Sequence, residues 1–290
     1  MAIFIRATVR SALMHRPRKR FGQHFLHDPG VLRRIVEAIA PRPDERLVEI
    51  GPGLGALTSP LLTTGIDLHV IEIDRDLAPR LAERVGDAAS RLHVIEADVL
   101  AVDFAALARR LGGPLRLCGN LPYNISTPLL FHLLGFREHV IDMHFMLQKD
   151  VVARMAATPG SKTYGRLSVM LAADCLVQPL FDVGPGAFKP PPKVDSSVVR
   201  LQVPTHPPLD IDDRGVFSQI VRQAFSMRRK TLRNALRGLL DAALIERAGI
   251  DPGARPETLS PAEFANLANL AAPEAVQNSV TGAPDAPSAD

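Results

Sequence analysis

The sequence is poor in cysteine, has no long hydrophobic run, and carries no acid in two stretches where bases concentrate. Its two cysteines, Cys118 and Cys175, build no disulfide framework and show no zinc-ligand spacing. No metal site is therefore expected, and a reducing compartment suits the chain. No apolar run approaches the roughly 20 residues that cross a bilayer, so no membrane association is expected and the protein is placed in the cytoplasm. Residues 1–20 hold Arg6, Arg10, Arg16, Arg18, Lys19 and Arg20 without one acid. The stretch from Arg214 to Arg237 holds Arg222, Arg228, Arg229, Lys230, Arg233 and Arg237, also without acid. The net charge of +3 hides this division. Two basic blocks on a nearly neutral chain suggest a polyanion gripped from two sides, with a solvated helix face as the alternative for either block alone. An organellar transit peptide would also be basic at the start. Serine is sparse there and Pro17 interrupts a helix, so residues 1–20 are read as a flexible arm.

With 290 residues, 46% hydrophobic and 22% charged, the chain can bury one large core and a smaller second one. Asp28 as a helix cap, Pro29 in the first turn and apolar residues at 31, 32, 35, 36 and 39 predict an amphipathic helix. The loop before it carries His24 and His27, with no acid or cysteine cluster to make a metal site.

Residues 46–50 predict a strand that runs into Gly51-Pro52-Gly53-Leu54-Gly55-Ala56 and then a helix from Leu57. Glycines at such a strand-to-helix turn let the backbone approach a nucleotide-like ligand. The second strand, over residues 68–74, carries Glu72 near its end, 21 positions after Gly51, where a carboxylate can accept from two ribose hydroxyls. A third, over residues 92–96, leads to Asp98, placed to meet an adenine amine. This spacing alone is ambiguous, because Gly51, Gly53 and Ala56 also fit a dinucleotide-binding dehydrogenase.

The fourth strand, Leu115-Arg116-Leu117-Cys118, stops at Gly119 and gives way to Asn120-Leu121-Pro122-Tyr123-Asn124. Ligands of open α/β sheets bind at the carboxyl ends of strands. The exocyclic amine of a nucleobase is a poor nucleophile, since its lone pair is delocalised into the ring. Two acceptors, the Asn120 side-chain oxygen and a carbonyl near Leu121, would hold that nitrogen as positive charge develops on it. Pro122 stiffens the turn and Tyr123 offers a face for stacking. Hydride transfer needs none of this. An adenosyl cofactor without pyrophosphate, S-adenosylmethionine, accounts for all four strand ends.

A fifth strand is expected over residues 140–147, helices over 149–157 and 165–176, and strands over 179–183 and 197–203. The connector Phe188-Lys189-Pro190-Pro191-Pro192-Lys193 reads as a stiff exposed loop, in which Phe188 is either a second stacking surface or a hydrophobe tucked onto the domain. Residues 204–208 read as a linker. Helices follow over 216–225, 230–240 and 243–248, and a last one is opened by Ser260 with Glu263 completing a capping box. The Pro, Ala, Ser and Asp content of 273–290 predicts disorder.

From about Arg18 to about Leu270 the chain closely resembles the small-subunit ribosomal RNA adenine dimethyltransferases. The resemblance rests on Lys19-Arg20-Phe21-Gly22-Gln23, Glu49-Ile50-Gly51-Pro52-Gly53, Asn120-Leu121-Pro122-Tyr123, Phe188 to Val194 and Phe225-Ser226-Met227-Arg228-Arg229-Lys230-Thr231-Leu232. It implies an α/β fold, a Rossmann-like seven-stranded S-adenosylmethionine-dependent methyltransferase sheet (residues 21–204) followed by a small α-helical RNA-binding domain (205–272). It implies dimethylation of N6 on two adjacent adenines near the 3′ end of 16S rRNA, in the small ribosomal subunit or its precursor, by a monomer that does not act on DNA. By position it puts cofactor contacts at His24, Leu26, Gly51, Gly53, Glu72, Asp98 and Asn120, a clamp on the target adenine at Tyr123 and Phe188, and RNA contacts in the Arg222–Arg237 block. Two alternatives stay open: a large-subunit rRNA adenine dimethyltransferase, and a ribosome-assembly factor acting mainly by binding.

Overall fold

The computed structural model describes residues 24–227 and 229–281. The expected basic arm, the first of the matched motifs and Arg228 lie outside the described residues. Short apolar runs alternate with amphipathic segments, and they fold as strands and covering helices: β1 (Phe25–Leu26), α1 (Pro29–Ile39), β2 (Arg46–Ile50), α2 (Thr58–Leu62), β3 (Leu68–Glu72), α3 (Ala78–Val85), β4 (Leu92–Glu96), α4 (Phe104–Leu111), β5 (Leu115–Asn120) and α5 (Ser126–Leu134). There follow β6 (Val140–Gln148), α6 (Lys149–Met155), α7 (Arg166–Ala172), β7 (Leu176–Val183), β8 (Phe188–Lys189) and β9 (Ser196–Gln202). The helical remainder is α8 (Arg214–Ala224), α9 (Leu232–Ala235), α10 (Ala242–Arg247) and α11 (Pro261–Thr281).

Seven strands make one sheet in the order β4-β3-β2-β5-β6-β9-β7. All pairs are parallel except those of β9, which runs antiparallel to both β6 and β7. The order reverses between β2 and β5, the switch point at which a crevice opens beyond the strands' carboxyl ends. Alternate strand residues serve opposite faces. Leu47, Cys118, Met146 and Val198 pack with α1, α2 and α3. Val48, Leu117, Phe145 and Val199 pack with α4, α5 and α6. The expected seven-stranded α/β class is thus the observed one.

A second core holds Phe217 of α8 and Phe264 of α11, each 1% exposed or less. Burial of one such ring contributes roughly 2–3 kcal/mol. α7 serves both cores: Leu167 and Leu171 face the sheet, Val169 and Ala173 face α8 and α11. Buried Asp174, just past α7, pairs with Arg137 from the sheet unit and Arg214 at the start of α8. The last helix begins as expected, with the Ser260 hydroxyl accepting from the Glu263 N–H and the Glu263 carboxylate accepting from the Ser260 N–H.

Several expected boundaries shift. The helix over 165–176 ends at Ala172, because residues from Leu176 are claimed as strand by register with β9, Leu176 opposite Gln202 through Val183 opposite Ser196. Pro179 is tolerated there because β7 is an edge strand with an irregularity at that point. The helix over 230–240 shrinks to Leu232–Ala235, and Gly238 then takes φ +84°. The connector after β7 is not wholly a loop: Phe188 and Lys189 pair antiparallel with Leu26 and Phe25. α11 continues to Thr281, past the point where disorder was expected.

Candidate active site

The switch point gathers the ends of β2, β3, β4 and β5 around one cavity of about 350 Å³. Two glycines bring its lining segments together. A Cβ on Gly53, at φ +56°, would sit 3.2 Å from the Phe25 ring. One on Gly119 would sit 2.4 Å from the Ile50 carbonyl oxygen. β5 therefore passes β2 more closely than any side chain permits, which brings Asn120 beside the glycine turn.

Glu72 is 5% exposed and its carboxylate is already half used. One oxygen accepts from the Gly53 N–H at 3.2 Å and the other from the Asp74 N–H at 2.9 Å. A carboxylate has about four acceptor sites, so acceptor capacity is left for a ribose hydroxyl. Burial raises its pKa, against the lowering effect of those backbone donors. Asp98 accepts from the Leu100 N–H through Oδ1, and its second oxygen faces no protein donor among the described residues. Ile73, 50% exposed although apolar, lines the cavity with Val99. Each directly follows a strand-end acid, and together they offer apolar surface to a flat ring. The sequence reading passed over both, although their place beside Glu72 and Asp98 was a usable signal. These residues fit an adenosine carrying a free 2′,3′-diol.

At the end of β5, the Asn120 Nδ2 donates to the His24 carbonyl at 3.0 Å. That bond fixes the amide orientation and leaves Oδ1 as an acceptor. The Leu121 side chain is buried at 1%, so only its main chain can serve a ligand. Pro122 carries the turn, its carbonyl accepting from the Ile125 N–H at 3.2 Å. The Tyr123 and Ser196 hydroxyls share a hydrogen bond of 2.7 Å, and Ser196 is fully buried. Burial raises the Tyr123 pKa and the Ser196 bond lowers it. His24, Leu26, Gly51, Gly53, Glu72, Asp98, Asn120, Leu121, Pro122 and Tyr123 all line this cavity. Phe188 does not: it is 2% exposed and packs into the core beneath β1, so the structure does not bring it to the Tyr123 face.

Ser196 had no visible signal in the sequence, and its bond makes a prediction. Tyr123→Ala should slow methyl transfer about tenfold or more, the worth of one base–aromatic stack. Tyr123→Phe and Ser196→Ala should each cost only a few-fold in single-turnover rate. Their combination should cost no more than either alone, because both remove the same bond; additive losses would refute the tether.

Glu49 closes the cavity floor. It is wholly buried, accepts from the Thr58 hydroxyl at 2.7 Å, and burial pushes its pKa up to about 7. Between the ordinary value of 4.5 and about 7 the folded state holds a proton that the unfolded state has released, so stability falls as pH rises through that window. The loss amounts to about 3 kcal/mol at roughly 1.4 kcal/mol per unit. Glu49→Gln keeps the Thr58 bond and should flatten the decline in urea midpoint between pH 5 and 7; an unchanged slope would place its source elsewhere.

Away from the cavity, Arg222 on α8, Arg229, Lys230, Arg233 on α9 and Arg237 are all exposed. Among the described residues, Arg237 is the one of these whose side chain has a hydrogen bond, donating to the Asn234 side chain at 3.2 Å.

A family model described as ribosomal RNA adenine dimethylase matches residues 14–273. The chain belongs to this family. Within the family, it is 55% identical over 255 residues to a Pseudomonas aeruginosa protein named ribosomal RNA small subunit methyltransferase A, covering 88% of this chain and 94% of that one. Among solved structures it is similar to a dimethyladenosine transferase from Plasmodium falciparum, with TM-score 0.69, 25% identity and coverage of 84% and 96% of the two chains. It is similar to the 23S rRNA methyltransferase ErmE to nearly the same degree, with TM-score 0.67, 25% identity and coverage of 86% and 99%. The family's rRNA adenine dimethylase reaction is thus this chain's class of chemistry, and the fold alone does not separate a small-subunit from a large-subunit target.

Proposed function

We propose that the protein dimethylates N6 of two adjacent adenosines in the 3′-terminal hairpin of 16S rRNA, within the small ribosomal subunit or its precursor, in the cytoplasm and as a monomer. The 55% identity to a protein named for the small subunit, against 25% to one named for 23S rRNA, favours the small-subunit target. The observation that carries the chemistry is the Asn120 amide, whose nitrogen is committed to the His24 carbonyl and whose oxygen is left to the cavity beside Tyr123.

Bound S-adenosylmethionine supplies an electrophilic methyl group on a sulfonium. The protein's own work is positioning. Glu72, Asp98, Ile73 and the glycine turn hold the adenosyl part. An adenine drawn from its stack lies on the Tyr123 ring, as enzymes acting on a base require. Asn120 Oδ1 and the Leu121 carbonyl accept from its amine, directing the nitrogen lone pair into the cavity and stabilising the positive charge that grows on it. No general base is needed before attack, since the nitrogen becomes acidic once alkylated and releases its proton afterwards. The exposed cations of α8 and α9 fix the RNA backbone, a sequence-independent contact.

Incubation of the chain and methyl-labelled S-adenosylmethionine with small subunits lacking the modification tests this reading. Dimethyladenosine at two adjacent positions near the rRNA 3′ end is expected. Large subunits offered in parallel should stay unlabelled; label in their 23S rRNA alone would transfer the protein to the large-subunit reaction.

A further inference from the structure

We propose that Asp174 is a positioning residue: held between Arg137 and Arg214, it fixes the angle at which α8 presents the basic Arg222–Arg237 block relative to the cavity, an assignment that rests on the RNA-methylating reading above. Asp174 is 2% exposed and stands between the end of α7 and the start of β7. Its Oδ1 accepts from Arg214 Nη1, and Arg137 Nε lies 3.3 Å from the same oxygen. A buried carboxylate is costly unless it is paired. Its two partners here come from the two sides of the division between the cores, Arg137 just before β6 and Arg214 as the first residue of α8.

The chain that connects the two cores does not by itself fix that angle. From Pro204 to Asp213 it could extend to roughly 33 Å, at about 3.3 Å per residue. Both of its ends are instead tied down. Arg137 Nη2 donates to the Pro204 carbonyl at 3.1 Å. At the far end Asn269 of α11 accepts from the Asp212 N–H and donates to the Asp210 carbonyl, each at 3.0 Å. Asp174 joins the two, since Arg137 holds the first end and Arg214 directly follows the second. Packing of Val169 and Ala173 against α8 and α11 adds strength but little direction, because apolar burial is non-directional. The polar ties give the direction, and they flank α7. Before it, the Tyr164 hydroxyl donates to the Leu259 carbonyl at 2.8 Å. A tie at that end alone leaves a pivot, and the one at Asp174 removes it.

A small tilt at Arg214 becomes a large displacement at the basic block. α8 is eleven residues long, so at about 1.5 Å per residue a tilt of about 10° moves its far end by roughly 3 Å. Arg222 lies in its last turn, and Arg229 and Lys230 follow. RNA affinity survives such a shift, because the cations move together. Delivery of the adenine to Asn120 does not, since a misplacement of about 1 Å can cost about a hundredfold in rate.

The test measures single-turnover methyl transfer to unmodified small subunits by Asp174→Asn, Arg214→Gln and Arg214→Lys. Arg214 is half-exposed, so its substitution should leave the chain folded. Asp174→Asn and Arg214→Gln should each slow transfer about fivefold or more, and the double variant should be no slower than either alone. Arg214→Lys, which keeps a cation for Asp174, should recover most of the rate. Affinities for the subunit and for S-adenosylhomocysteine should stay within about twofold of wild type, as expected when contacts are kept and only their placement changes. Spin labels on Arg33→Cys of α1 and Ala243→Cys of α10, both exposed while Cys118 and Cys175 are buried, give a readout independent of activity. Their distance distribution should broaden in Asp174→Asn and Arg214→Gln. If Asp174→Asn loses S-adenosylhomocysteine binding it is misfolded, and Arg214→Gln decides. Wild-type rates in Arg214→Gln, or an unbroadened distance, would overturn the assignment. So would a loss of subunit affinity with a shallower salt dependence, which would make Arg214 a phosphate contact. A wild-type chain that transfers no methyl would overturn the functional reading, and the labels would then decide whether Asp174 sets the angle.

Discussion

Asn120→Ala should lower the single-turnover rate of methyl transfer at least about a hundredfold while changing affinity for the small subunit less than about twofold. The size follows from what the amide does. Removing one preorganised dipole that stabilises charge growing in a transition state costs about 10²–10³ in rate. Asn120 is such a dipole, because its orientation is set before substrate arrives by the 3.0 Å bond from Nδ2 to the His24 carbonyl. Affinity should barely move, because RNA binding is spread over many phosphate contacts. Asn120→Asp separates the two halves of the argument. It keeps an acceptor for the amine but sets a carboxylate oxygen against the His24 carbonyl, where an N–H had been. It should therefore recover only part of the rate. Wild-type rates for Asn120→Ala at saturating S-adenosylmethionine would remove this residue from the mechanism.

The strand ends were legible in the sequence because each carries a local signature. A β-branched or apolar run of five residues stops at glycine or acid, and the acid's side chain then has one place to go. Gly51, Glu72, Asp98 and Asn120 needed no long-range information beyond the rule that parallel strands present their carboxyl ends together. What was missed depends on contacts between segments far apart in sequence. Phe188 sits in a motif rich in proline and lysine, which leaves it open between a second stacking surface and a hydrophobe tucked onto the domain. Its burial follows from pairing with Leu26, 162 positions earlier. The Ser196 hydroxyl meets Tyr123 across 73 positions, and nothing beside Ser196 announces it. The early end of α7 has the same cause, since β7 gains a partner along its whole length in β9. α7 itself blurs the domain division read from composition. It precedes the proline-rich linker at 204–208 yet gives one face to the second core.

Arg116 is the clearest case of a residue whose role no local pattern shows, and it yields the largest expected effect on stability. It stands within an apolar strand, Leu115-Arg116-Leu117-Cys118, and is 7% exposed. Its guanidinium donates to both oxygens of Asp142 at 2.8 and 3.0 Å, to Glu45 at 2.5 Å and to the Ile39 carbonyl at 2.7 Å. It thus joins the end of α1 to β5 and β6, four residues before Asn120. Arg116→Ala leaves the Asp142 carboxylate, 2% exposed, without its main partner. Breaking a buried pair from one side costs about 3–5 kcal/mol. His144, 3.8 Å from Asp142, cannot replace the lost charge near neutral pH, because burial lowers its pKa to about 4. Arg200 reaches Asp142 at 3.4 Å from a half-exposed position, which places the expected loss near the lower end, about 3 kcal/mol. Arg116→Lys should restore less than half, since one ammonium cannot span Asp142, Glu45 and a carbonyl that a planar fork reaches together. The double change Arg116→Met with Asp142→Leu should lose less than Arg116→Ala alone, because no buried charge is then left unpaired. Urea midpoints at constant m-value measure all four. If Arg116→Ala stays within about 1 kcal/mol of wild type, Asp142 has either found Arg200 sufficient or taken up a proton. A stability that then rises on acidification would identify the proton.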